Sequence, residues 1–182
     1  MSPIISLIGM MGSGKSMTGR SLACILECPY VDLDTEIEKT AHCDIPRIFA
    51  QHGEAGFRDI ESAALADILA NNRQRLVLSC GGGIILRKEN RTMLRARSFI
   101  VWLDVPIHEL QRRLTAERSN RPLIAEGDLK TRIKKLSAQR GSLYEETAHF
   151  RLIWNEGMNA EDCAKLIHNQ WIAQAEQCSD RD

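Results

Sequence analysis

The sequence predicts an α/β fold, a five-stranded parallel sheet with helices on both faces, and three observations carry that expectation. Five apolar runs of strand length alternate with segments of helical apolar spacing. Such alternation puts helical crossovers between parallel strands, and crossovers of one hand bring the C-terminal strand ends to a single sheet edge. The chemically distinctive residues fall just after those strand ends, where ligands sit in sheets of this kind.

The first run, Ile4–Ile8, leads into Gly9-Met10-Met11-Gly12-Ser13-Gly14-Lys15-Ser16, and helical spacing follows over Ser16–Glu27. Strand, glycine-rich loop and helix start, in that order, form the context of a phosphate-binding P-loop. Gly12 and Gly14 let the backbone bend until successive N–H groups converge on one anion, and the helix start adds unpaired donors and its dipole. Lys15 then suits the β- and γ-phosphates, and the Ser16 hydroxyl suits Mg²⁺. The loop is expected to bind a nucleoside phosphate.

The second run, Tyr30–Leu33, brings Asp32 and Asp34, which alternate as strand neighbours on one face. One suits the waters of a Mg²⁺ held by Ser16 and the other a substrate hydroxyl. Asp34 also suits the N-cap of a helix over Thr35–His42. Helices follow at Pro46–Gln51 and Glu54–Asn71. Within the second, Arg58 and Glu61 are surface neighbours, by default a solvated ion pair. The third run, Leu76–Ser79, ends in Cys80-Gly81-Gly82-Gly83, whose glycines leave main-chain N–H groups open to a ligand. Helices Glu89–Arg95 and Ile107–Ala116 flank the fourth run, Phe99–Leu103. The polar, basic stretch Ala116–Leu123, broken by Pro122, reads as a lid, whose Arg118 and Arg121 suit either ordinary surface charges or, for Arg121, a swing over the phosphates. Helix Leu129–Thr147 carries Arg140, and the last run, Arg151–Trp154, precedes helix Ala160–Ala175.

Composition narrows the field. A chain of 182 residues suits one domain, here 1–182. Lys plus Arg equal Asp plus Glu at 24 each, so no overall field draws in nucleic acid or an anionic membrane. With no basic leader and no run of about 18 apolar residues, a cytoplasmic location is expected. The six cysteines form no C-x-x-C pair. Cys24 and Cys28, four apart, have the spacing of a metal half-site, but buried thiols are the simpler expectation. The histidines show no ligand spacing, and the tryptophans read as packing residues.

In this order and at these spacings, G-M-M-G-S-G-K-S, D-L-D, G-E-A-G-F-R-D-I-E, C-G-G-G-I-I-L, R-P-L and R-G-S-L-Y resemble the shikimate kinases from Ile4 to about Ala148. The resemblance implies a P-loop kinase fold of the nucleoside monophosphate kinase type, with a substrate-binding region at 33–60 and a lid at 113–124. It implies ATP-dependent phosphorylation of the shikimate 3-hydroxyl, a step of aromatic amino acid (chorismate) biosynthesis. By the same resemblance Gly12, Ser13, Gly14, Lys15, Ser16 and Met17 wrap the ATP phosphates, and Ser16 with Asp32 serves Mg²⁺. Asp34 contacts the reacting hydroxyl as base, Arg58 and Arg140 grip the carboxylate, and Gly81, Gly82 and Gly83 offer donors to ring hydroxyls. Arg121 reaches the nucleotide phosphates from the lid. Expected partners are shikimate and ATP, acting on a monomer, with neither nucleic acid nor membrane. Three positions depart from the family's pattern. Cys80 stands where a threonine is frequent, Leu114 with Arg113 beside it stands where an adenine-stacking arginine is common, and the adenine-reading loop Asn155–Asn159 lacks a proline. The alternatives are a gluconate-kinase-like enzyme on the same scaffold and a non-catalytic, nucleotide-gated binding module.

Overall fold

The computed structural model describes residues 3–118 and 129–179. Its elements run β1 (Ile4–Ile8), α1 (Lys15–Ile25), β2 (Tyr30–Asp32), α2 (Leu33–Ala41), α3 (Ile45–Asn71) and β3 (Leu76–Ser79). After a 3-10 turn at Ile84–Leu86 come α4 (Lys88–Arg97), β4 (Ser98–Asp104), α5 (Ile107–Arg118), α6 (Leu129–Thr147), β5 (Phe150–Ile153) and α7 (Ala160–Ser179). The five strands are all parallel, in the order β2-β3-β1-β4-β5. Central β1 is buried along its whole length, as a strand covered on both faces must be.

Strand alternation divides the core in two. Ile4, Ile8, Leu76, Leu78, Ile100 and Trp102 face α2 through α6, meeting Leu33, Ile37, Phe57, Leu65, Leu110 and Tyr144. Ile5, Leu7, Val77, Phe99, Val101 and Leu103 face α1 and α7, meeting Leu22, Ala23, Ala164, Ile167 and Trp171. Among the described residues no helix is long and apolar enough to cross a membrane.

Several local expectations change. Helix α2 starts at Leu33, so Asp34 lies in its first turn instead of on a strand face beside Asp32. The cap is Asp32, whose side chain accepts the Asp34 N–H at 3.2 Å. Capping at Asp32 brings Leu33 and Ile37, four apart, onto one fully buried stripe. The two helices expected on either side of His52 are joined as α3 and broken at Gly53, where φ is 67° and ψ −175°. The expected lid, 113–124, begins inside α5, and its remaining residues from 119 onward, Arg121 included, lie outside the described residues.

Helix α1 ends in a Schellman turn: the Cys28 N–H donates to Ala23 O at 3.0 Å, with Glu27 in the left-handed region at φ 48°. That turn leaves Cys24 exposed and Cys28 half-buried, so the buried-thiol expectation holds for Cys80 and Cys163 and fails for Cys24. No group of three or more His, Cys, Asp or Glu side chains poised for a metal occurs among the described residues.

His149 joins β4 to the end of α6. Its N–H donates to Ile100 O at 2.9 Å and its Nδ1 accepts the Ile100 N–H at 3.0 Å, so the ring is needed neutral. Burial, and then the nearby Arg95 charge, push its pKa below the usual histidine value. The unfolded chain therefore binds the extra proton first, and stability falls as pH drops through about 6.5. Thermal unfolding between pH 7.5 and 5.5 should show this decline in the parent protein. A His149→Asn variant, which keeps an acceptor but does not titrate, should show a shallower one.

Candidate active site

The loop after β1 closes on itself through three positive-φ glycines, Gly9, Gly12 and Gly14. Gly12 is needed twice over: its φ is 75°, and a β-carbon there would come within 2.9 Å of Leu114 Cγ. Helix α1 begins directly after Gly14 with no side-chain cap and no acidic residue in its first turn. Its free N–H groups and dipole are thus left for an external anion. Lys15 Nζ lies across the loop, donating to Gly9 O at 3.0 Å, Met10 O at 2.9 Å and, more weakly, Ser13 Oγ at 3.4 Å. Burial lowers its pKa to about 8, against the pull of the Asp34 and Asp32 carboxylates. Ser13 is buried at the loop's centre, whereas Met17 points outward, 69% exposed. That exposure concerns the Met17 side chain alone; its main-chain N–H stays in the first turn of α1.

At the end of β2 the two aspartates separate in role. Asp32 Oδ2 accepts from Ser16 Oγ at 3.0 Å and from Tyr30 Oη at 2.9 Å. Asp34, one helical turn below Glu38, is turned toward the end of β3, where a β-carbon on Gly81 would meet its Oδ1 at 2.9 Å. Its pKa is raised, first by burial and then by the Asp32 charge, with Lys15 and Arg58 pulling it down.

Arg58 and Glu61 do not form the solvated pair that their spacing suggests. Their side chains are 14% and 1% exposed, and Arg58 Nη1 donates to Glu61 Oε2 at 2.8 Å. Burial raises the Glu61 pKa, with the Arg58 bond acting the other way. The guanidinium rests 5.1 Å from the Phe57 ring centroid, and its Nε is buried without a partner among the described residues. It also lies flat against Gly83, where a β-carbon would fall 2.6 Å from its Cζ.

Gly82 completes the junction. Its carbonyl accepts from Arg140 Nη1 at 3.1 Å and from Tyr144 Oη at 2.5 Å, two residues one turn apart on α6. On the other side, a β-carbon on Gly82 would sit 3.4 Å from Gly9 O and 3.5 Å from Met11 N of the phosphate-type loop. Asp34, Arg58, Arg140 and the loop around Lys15 thus all meet one tripeptide. Lys15 and Asp34 are further tied electrostatically, each shifting the other's titration.

A second cleft of about 280 Å³ opens behind the loop, lined by Glu109, Arg112, Arg113, Trp154, Glu156, Gly157 and Met158. It includes part of the loop Asn155–Asn159 singled out from the sequence. Of the lid-start residues, Arg113 lines this cleft, while Leu114 is buried against Gly12. Trp154, read from sequence as packing, forms a wall here and donates its Nε1–H to Met158 O at 3.0 Å. A shallower groove of about 590 Å³ beside Arg20, Cys24, Cys28 and Tyr30 lies on the outer side of α1, away from these groups.

Sequence reasoning missed Glu61 as a buried partner, Tyr144 and Tyr30 as anchors, and Trp154 as a cleft wall. The i, i+3 spacing marked the first. Tyr144 follows Arg140 by one turn, which was available as a signal. Tyr30 stands two residues before Asp32 on one strand, a same-face spacing that was also available, whereas nothing local marked Trp154.

Comparison with known proteins agrees with this geometry. The family model described as shikimate kinase matches residues 11–170. The shikimate kinase of Nitrosomonas europaea is 45% identical over 145 residues, covering 80% of this chain and 67% of its own length. That of Nostoc punctiforme is 44% identical over 161 residues, covering 88% and 86%. Among solved structures, shikimate kinase from Acinetobacter baumannii in complex with shikimate superposes with a TM-score of 0.86 at 36% identity, covering 95% of this chain and 94% of that one. Sheet order, glycine junction and these matches together establish that the chain belongs to the shikimate kinase family.

Proposed function

We infer that this chain transfers the γ-phosphoryl group of ATP to the 3-hydroxyl of shikimate, yielding shikimate 3-phosphate and ADP. The observation that carries the reading is the Gly81–Gly83 junction. An anion-binding loop, a carboxylate of raised pKa and two guanidinium groups all meet one short stretch of backbone. Phosphoryl transfer asks a protein for in-line positioning and charge neutralisation, which this set supplies.

The roles follow from the chemistry of each group. Gly12, Ser13, Gly14, Lys15 and Ser16 hold the phosphates, and Lys15 exchanges its loop carbonyl partners for phosphate oxygens. Ser16 and Asp32 offer hard oxygen donors 3.0 Å apart, the type of ligand Mg²⁺ takes; the ion would add positive charge at the phosphates. Asp34 orients the acceptor hydroxyl and takes its proton, a task favoured by a carboxylate pKa raised toward the working pH. Arg58, held by Glu61, and Arg140, held by Gly82, grip the substrate carboxylate. Gly81, Gly82 and Gly83 seat Asp34 and Arg58 against bare backbone, and their main-chain N–H groups are assigned to the ring hydroxyls. Arg121 completes the charge neutralisation from the lid.

Shikimate-dependent release of ADP from ATP tests the reading directly, and nucleotide binding without it would count against the enzyme. Asp34→Asn should lower kcat by about 10²-fold or more while leaving ADP affinity within a few-fold. Wild-type turnover in that variant would remove Asp34 from the mechanism. Arg58→Ala and Arg140→Ala should each raise the shikimate KM by about 30-fold, the equivalent of about 2 kcal/mol, with the ATP KM little changed. Gly83→Ala should raise the same KM, because its methyl group displaces the Arg58 guanidinium.

Lys15 adds a pH signature. With a nucleotide-free pKa of about 8, its ammonium is lost above that pH, and nucleotide must then bind together with a proton. ADP affinity should fall as pH rises from 7 to 9. Calorimetry in buffers of different ionisation enthalpy should show proton uptake at pH 9 and much less at pH 7. A pH-independent affinity would contradict the lowered value.

A further inference from the structure

Glu109, on the first turn of α5, is a carboxylate only 4% exposed, with two arginines clamped to it. Its Oε2 accepts from Arg112 Nε at 2.7 Å, and its Oε1 accepts from Arg112 Nη2 at 2.8 Å and Arg113 Nε at 2.6 Å. The Arg112 side chain is 73% exposed, so that pair contributes little. Arg113 is 23% exposed and engaged on every side. Its Nη1 reaches the carbonyls of Gly12 at 3.4 Å and Ser13 at 3.3 Å, and its Cζ lies 4.9 Å from the Trp154 ring centroid.

A guanidinium is planar, and in-plane bonds to Glu109 at one edge and to loop carbonyls at another fix the orientation of that plane. Without the carboxylate one turn below it, a long side chain on a helix surface would lose most of that order. The fixed plane borders the 280 Å³ cleft together with Trp154, Glu156, Gly157 and Met158. A flat heterocycle attached to phosphates in the loop would find there a cationic wall and a neighbouring indole.

We propose that Glu109 is a positioning residue for the nucleoside: by holding Arg113 against Trp154 it sets the wall on which the base of the nucleotide is read. The proposal rests on the reading of this chain as an ATP-dependent kinase. Glu109 itself borders the cleft, and the role assigned to it is to orient Arg113, not to contact the base.

The test compares two ligands that share phosphates but not a base. Dissociation constants for ADP and for inorganic tripolyphosphate, both with Mg²⁺, are measured by calorimetry on the parent protein, Glu109→Gln and Arg113→Lys. The expected result is an ADP affinity reduced by about fivefold or more in Glu109→Gln, with tripolyphosphate affinity unchanged within about twofold. Should Glu109→Gln not fold, Arg113→Lys, which keeps the charge but lacks the Nε donor and the planar face, is expected to show the same selective loss. Equal losses for both ligands would place the effect on the loop carbonyls and overturn the proposal. So would unchanged ADP affinity in folded variants, the outcome of a purely structural ion pair. Because binding alone is measured, a parent protein that binds ADP yet never turns over with shikimate would defeat the kinase reading without touching this result.

Discussion

A β-carbon on Gly83 would collide with the Arg58 guanidinium, and one on Gly81 would crowd the Asp34 carboxylate. The close approach of these side chains to bare backbone is the constraint on which the rest of the sheet edge depends. Neither glycine has a positive φ. The missing side chains are needed for space, not for backbone freedom. Because the space is filled by protein groups, the turn serves as the seat of Arg58 and Asp34. Gly82 adds the tie to α6, since both lone pairs of its carbonyl are taken by Arg140 and Tyr144.

Electrostatically, the site is a set of opposed charges that have been removed from water together. Glu61 is almost wholly buried and faces the similarly enclosed Arg58. Such a pair gains little net stability, because desolvation offsets most of its attraction. What it provides is a guanidinium with one edge committed and its orientation set. Asp34 and Lys15 form the second opposition, each buried enough to be drawn toward its neutral form and each charged partly because the other is.

Much of this was legible in the sequence where chemistry and spacing are local. The glycine-rich loop, its strand and its helix occupy one continuous stretch, and the structure builds them almost as expected. The alternation of runs and helices foretold the all-parallel sheet, and His52–Gly53 was correctly the place where a helix breaks. Failures have a common cause. Asp32-Leu33-Asp34 fits both strand alternation and a cap followed by a first helical turn, and only the burial of Leu33 and Ile37 against the sheet chooses between them. An i, i+3 ion pair looks the same in sequence whether exposed or buried; Arg58–Glu61 is buried because β3, from elsewhere in the chain, ends on top of it. Gly82 and Tyr144 are 62 residues apart, and their contact depends on how α6 packs across the sheet end. Trp154 packs against both halves of the core, as expected, and also borders the cleft beside Arg113.

The strand order has a further meaning. The phosphate-type loop hangs from β1, the glycine junction from β3 and the aspartates from β2, three strands side by side. Neighbouring strands in any sheet stand about 4.8 Å apart, a spacing set by main-chain hydrogen bonds and indifferent to sequence. The gap between the loop after β1 and the glycine turn after β3 is therefore ruled off by the peptide backbone itself. Substitution can reshape the helical walls around the turn, but the stride from one strand to the next stays constant.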